Sequence, residues 1–131
     1  MFTIKSTDSE TELRFEDLSG DYFTVALRSA SHSAQRQVYA YTDSKGIAHL
    51  LEEAAQQWQG WAGTKTWQSI EEELKLELIA DNTGHITLKV RIAHDCGNPD
   101  PWCLESTITI EAGQLASIAN DASNYFGEGI G

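Results

Sequence analysis

Basic side chains are scarce: 9 Lys and Arg stand against 20 Asp and Glu in 131 residues, which leaves a formal charge of -11. Binding to phosphate backbones sums Lys and Arg contacts that release counterions, and docking on anionic lipid uses the same attraction. A nucleic-acid or membrane-surface role is therefore not expected. A partner selected by charge would be basic. Proline is limited to Pro99 and Pro101, both in one loop, and no Pro-, Gly- or Ser-rich tract divides the chain. One domain over residues 1–131 is expected. Uninterrupted apolar runs last only a few residues, and Met1-Phe2-Thr3-Ile4-Lys5 has no apolar stretch behind a basic start. Neither a signal peptide nor a membrane span is expected, and the reading is a cytosolic chain. The two cysteines, Cys96 and Cys103, then read as free thiols, with a disulfide as the alternative for an exported protein.

The chain does have core material. Forty per cent of its residues are hydrophobic, with four each of Trp, Tyr and Phe. A chain this long buries on the order of 65 to 70% of its unfolded surface without metal or disulfide staples.

Alternation of period two marks strands. Leu74, Leu76 and Leu78 alternate with Glu73, Lys75 and Glu77; Ile86, Leu88, Val90 and Ile92 alternate with Thr87, Lys89 and Arg91. Asp81-Asn82-Thr83-Gly84 joins them as a hairpin. A third strand places Trp102, Leu104, Ser106, Ile108 and Ile110 on one side. The first half repeats this grammar in Leu13 to Phe15, in Phe23, Val25 and Leu27 against Tyr22, Thr24 and Arg28, and in residues 37–42; Phe2 to Ile4 is a candidate edge strand. Each half then closes on a helix. Ile47, Leu50, Leu51, Ala54, Ala55 and Trp58 form one apolar stripe of period 3.6, with Asp43 or Ser44 as cap. Leu115, Ile118, Ala119, Ala122, Tyr125 and Phe126 form another, with Gly127 as the stop. The expected class is α+β, a two-layer sandwich of an antiparallel sheet under two helices, with a β-β-β-α duplication.

Chemistry-bearing motifs are sparse. No phosphate loop, nucleophile elbow or His-Glu-x-x-His occurs, so no catalytic residue, metal or cofactor is expected and the chain reads as a non-enzyme. His94, Cys96 and Cys103 form the one cluster of reactive types. A thiol enzyme or small hydrolase would use it, but it lacks an orienting group and an oxyanion donor. Trp58, Trp61 and Trp67 fall within ten residues and offer either an aromatic ligand platform or a plug between helix and strand. Net negative charge concentrates toward the end: beyond Arg91 there are six acids, Asp95, Asp100, Glu105, Glu111, Asp121 and Glu128, and no Lys or Arg. Asp95, Asp100 and Glu105, with the run Glu71, Glu72 and Glu73 at the start of a strand, are the candidate contacts to a basic partner.

The pattern Trp58-x-Gly60-Trp61-x-Gly63-x-x-x-Trp67-x-Ser69-x-Glu71, with Asp81-x-x-Gly84-His85-x-x-Leu88-x-Val90 and a closing Gly113-x-Leu115 helix, resembles a family of small acidic bacterial proteins classed as a domain of unknown function. The resemblance spans roughly residues 38 to 126. Some members are described as immunity proteins of secreted or contact-delivered toxins. The resemblance thus implies a toxin domain, such as a basic nuclease, as partner, and no catalytic residues.

Overall fold

The computed structural model describes residues 1–40, 43, 45–81, 83–94 and 100–128. Four strands come first: β1 (Phe2–Lys5), β2 (Glu12–Ser19), β3 (Tyr22–Arg28) and β4 (Ser33–Tyr39). They are followed by the helix α1 (Gly46–Gln56), then by β5 (Thr64–Gln68), β6 (Leu74–Ala80), β7 (His85–His94) and β8 (Trp102–Glu111). A single 3₁₀ turn, Ala112–Gln114, leads into α2 (Leu115–Glu128). Each set of four strands is an antiparallel meander, ordered β1-β2-β3-β4 and β5-β6-β7-β8.

This corrects the expected class. Strands account for 49% of the described residues, in two sheets with two short helices, a sheet-rich fold rather than a balanced α+β sandwich. The missing strands explain the difference. Residues 64–68 hide a strand inside the Trp/Gly stretch, where only Trp67 faces inward and no apolar alternation shows, and Phe2–Lys5 is a full partner of β2. Each half is therefore four strands and a helix instead of three.

Both sheets and both helices share one core. Phe2, Phe15 and Phe23 of the first sheet, Leu74, Leu76, Leu78, Ile86, Leu88 and Val90 of the second, Ile47, Leu50 and Leu51 of α1, and Leu115, Ala122 and Phe126 of α2 belong to a single buried cluster. Phe126 meets Phe2, Phe15 and Phe23 edge-on, at ring distances of 6.4, 5.7 and 5.8 Å, the geometry favoured by aromatic quadrupoles. The helices pack on one another as well as on the sheets. Their ends differ from the sequence expectation. α1 stops at Gln56, so Trp58 leaves the apolar stripe and is 56% exposed. Asp43 does not cap α1 through its side chain; its carboxylate accepts a hydrogen bond from Trp67 Nε1 at 3.0 Å, and Ser44 lies outside the described residues. α2 runs through Gly127.

The hairpin between β6 and β7 shows how local chemistry sets register. Asp81 Oδ1 accepts hydrogen bonds from Thr83 N–H and Thr83 Oγ1, both at 2.8 Å, and from His85 N–H at 3.0 Å, while Gly84 takes the left-handed conformation at φ 84°. The Thr83 amide and hydroxyl, then the His85 amide, hold the Asp81 carboxyl below its usual range.

Among the described residues, three polar ties join the sheets to each other. Thr7 N–H donates to Thr109 O at 2.9 Å and Thr109 N–H to Ser6 Oγ at 3.1 Å, linking the end of β1 to β8. Arg36 Nη1 donates to Ala93 O at 2.6 Å, linking β4 to β7. Glu73, only 4% exposed, accepts from Tyr39 N–H on Oε2 at 3.0 Å and from Ser69 Oγ on Oε1 at 2.6 Å. A buried carboxylate with both oxygens engaged is stable; its donors without it are not.

Two measurements check these assignments. In urea unfolding, Glu73→Ala lowers stability by about 3 kcal/mol, Glu73→Gln by about half that because one acceptor oxygen remains, and Glu71→Ala by less than about 0.5 kcal/mol. A carboxyl with a lowered pKa contributes stability above its unfolded pKa and loses it as pH falls through the folded one. Asp81→Asn therefore flattens the decline of stability below about pH 4 and leaves the neutral-pH slope unchanged.

Candidate functional site

The register of each sheet brings two aromatic rings side by side at its end. Tyr22, first in β3, is paired with Tyr39, last in β4; His94, last in β7, is paired with Trp102, first in β8. The tyrosine rings lie 4.9 Å apart at 30°, and the His94 and Trp102 rings 5.9 Å apart at 20°. The rings are not fully covered: Tyr22 is 46% and Trp102 37% exposed. Both pairs line one cleft of about 730 Å³, together with Gln35, Arg36 and Gln37 of β4 and Glu71 and Glu73 of the turn before β6. Arg36 is pinned, with Nη1 on Ala93 O and Nε on Gln37 O at 3.3 Å. Its charge faces backbone carbonyls, while Glu71 remains exposed.

The acidic residues expected to meet a partner fall in different places. Asp95 lies outside the described residues, while Asp100 is exposed two residues before Trp102. The run Glu71, Glu72 and Glu73 forms a turn, not a strand opening: Glu72 N–H donates to Ser69 O, Glu72 has φ 61°, and β6 begins at Leu74. Glu71 and Glu72 are exposed there, whereas Glu73 is internal and serves as the tie to β4. Glu105 lies on the opposite parity of β8 from Trp102, on the outer face of the second sheet, 3.6 Å from Arg91 Nε. That face also carries Lys75, Glu77 and Lys89 around a shallow hollow of about 460 Å³. Glu71 thus lines the aromatic cleft, Asp100 stands two residues along the chain from its Trp102, and Glu105 faces elsewhere.

The other candidates also separate. His94 pairs with Trp102 and Ala93 with Cys103, so His94 and Cys103 have opposite parity on the ladder and face away from each other. Cys103 is a free, exposed thiol, and Cys96 lies outside the described residues. Among the described residues there is no group of three or more His, Cys, Asp or Glu arranged to hold a metal ion. The tryptophans of the Gly-rich stretch do not form one platform. Trp58 is exposed, Trp61 is half-buried with Nε1 on Leu78 O at 3.3 Å and Lys65 Nζ 5.2 Å from its ring centroid, and Trp67 is 6% exposed.

Sequence reasoning missed the cleft, although a signal existed. Tyr22 falls on the polar parity of β3, with Thr24 and Arg28, where a large ring has no core to fill. The pairing that gives Tyr22 a partner in Tyr39 depends on the β3–β4 turn and is not readable from either strand alone.

The model of a family described as a family of unknown function, DUF6228, matches residues 4–129. The chain belongs to DUF6228. The match takes in every strand but the first two residues of β1 and every described residue of the cleft, so the cleft lies within the DUF6228 unit. No curated protein matches the chain.

Collisional quenching checks the exposure assignments. Acrylamide quenches the emission of Trp58 and Trp102, so Trp58→Phe and Trp102→Phe each remove a quenchable fraction, and Trp67→Phe leaves the quenchable fraction in place.

Proposed function

We propose that this protein is a non-enzymatic binding protein that holds a basic protein partner at its aromatic cleft. More specifically, it is an immunity protein that covers the active site of a basic, nuclease-type toxin. The observation that carries the reading is the cleft itself, where partly exposed Tyr22 and Trp102 stand beside the carboxylate of Glu71. Large aromatics set among charged neighbours are the usual anchors of protein interfaces, because they bury much area at little conformational cost. Glu72 and Asp100, exposed next to this end, add negative potential that steers a cationic partner inward. The net charge of -11 supports the same sign of partner, and the family resemblance supports the toxin-immunity reading.

Inhibition under this reading needs no chemistry on the protein's side. A rigid acidic end occupies the cationic groove that a nuclease uses for phosphate, and substrate is excluded. Glu73 contributes indirectly by holding Tyr39 and hence the ring of Tyr22 in place.

The reading predicts a toxin-type gene beside this one, and the test is binding to its product. Tyr22→Ala and Trp102→Ala each weaken the complex by about thirtyfold, chiefly through faster dissociation. Charge reversal at Glu71, Glu72 and Asp100 slows association and flattens its salt dependence, whereas reversal at Glu105 has a smaller effect. No binding, or binding indifferent to all these changes, overturns the reading.

A further inference from the structure

The edge of β4 runs along the cleft, and among the described residues its outward amides at Gln35 and Gln37 are open, while Gln37 O accepts from Arg36 Nε at 3.3 Å. Antiparallel partners alternate between pairs that exchange hydrogen bonds and pairs that do not. Ala40 N–H donates to Asp21 O at 2.8 Å and Ser29 N–H to His32 O at 2.9 Å, which fixes the phase at both ends of the ladder. Counting along the register, Val38, Arg36 and Ala34 exchange bonds with β3, and the N–H groups of Gln37 and Gln35 point away from it. No hydrogen bond from either amide is present among the described residues. The next outward amide, Tyr39 N–H, is engaged by the Glu73 carboxylate, which ends the open stretch.

Protein sheets ordinarily blunt such an edge with proline, a bulge, a free lysine or a covering element. Here β4 has no proline, its register with β3 is unbroken, and its one cation, Arg36, is held by Ala93 O. Other edges are managed. The β1 end is tied to Thr109 of β8, and β5 lies against α1, with Lys65 Nζ 3.4 Å from Glu53.

Resting on the binding reading above, we infer that the partner is engaged by strand addition: an extended basic segment pairs with β4 at Gln35 and Gln37 and lays an Arg or Lys side chain against the aromatic rings of the cleft. Main-chain bonds supply affinity in this mode, and pockets for alternate side chains supply selectivity. The pocket suits a cation. Aromatic faces attract ammonium and guanidinium groups, Glu71 is an exposed carboxylate in the same cleft, and Arg36 is turned onto carbonyls. The open stretch from Ser33 to Gln37 accommodates about five extended residues, roughly 17 Å.

The experiment uses the full chain and capped five-residue peptides of alternating valine and arginine, of valine and glutamate, and of valine and arginine with alternate backbone nitrogens methylated. The arginine peptide is expected to bind at least about tenfold more tightly than the other two and to slow amide exchange at Gln35 and Gln37. Gln35→Pro removes the outward N–H without touching a bond to β3, and is expected to weaken binding by about tenfold, while Gln35→Ala leaves it within about twofold. Equal binding of the methylated or the glutamate peptide, or unchanged exchange at Gln35 and Gln37, overturns the inference. These peptide results stand even where Gln35→Pro fails to fold. A toxin complex sensitive to Glu71, Glu72 and Asp100 but indifferent to Gln35→Pro overturns strand addition and leaves the proposed function standing. Arginine-peptide docking on β4 without a toxin complex does the reverse.

Discussion

The whole cleft end depends on one buried carboxylate. Glu73 lies where the two sheets approach, and its oxygens are taken by an amide of β4 and by the hydroxyl of Ser69, while its own carbonyl accepts from Ala93 N–H at 3.0 Å. Apolar packing holds the sheets together but is non-directional, so it does not by itself fix how β4 lies over the end of β7. A carboxyl group whose two oxygens accept directional hydrogen bonds from both sides does. With β4 placed in this way, Tyr39 carries Tyr22 toward Trp102, and Arg36 reaches Ala93 O. The cleft is thus a product of register and one buried carboxyl group, in which no cleft side chain but Glu73 is fully buried.

Much of the sheet architecture was legible and the site was not, for a common reason. Leu74 to Leu78 and Ile86 to Ile92 alternate cleanly because each strand is covered on one face only, and this periodicity survives in one dimension. β5 did not show, because Thr64, Thr66 and Gln68 face solvent while Lys65 reaches toward Glu53 and the Trp61 ring, and Trp67 alone reaches the core. Trp58 misled because it continues a 3.6-residue stripe past the last helical turn; periodicity identifies a face but not where the backbone leaves it. Glu73 misled for a related reason. Three consecutive glutamates look like solvated surface, and only a turn with φ 61° at Glu72 rotates the third one inward.

The charge pattern also reads differently in three dimensions. Of the few cations, Lys75, Lys89 and Arg91 gather on the outer face of the second sheet, where Lys75 and Arg91 are direct cross-strand neighbours. Like charges in that position repel, and Glu77 at 3.6 Å from Lys75 and Glu105 at 3.6 Å from Arg91 offset the repulsion. Glu105 is in this way a counter-ion of the sheet surface, and negative charge without a paired cation is carried by Glu71, Glu72 and Asp100, as well as by Glu52 and Asp121 on the helices.

The ring of Phe126 joins the last helix to the three phenylalanines of the first sheet, more than a hundred residues upstream. During synthesis this order has a cost in time. At ribosomal rates, roughly ten seconds separate the emergence of Phe23 from that of Phe126, and for that interval the inner face of the first meander lacks the ring that meets three of its phenylalanines. The first half of the chain is therefore a sticky intermediate by construction, its aromatic face waiting for the final helix. A nascent-chain chaperone would find its binding surface there, on the side of the sheet that the finished protein never displays.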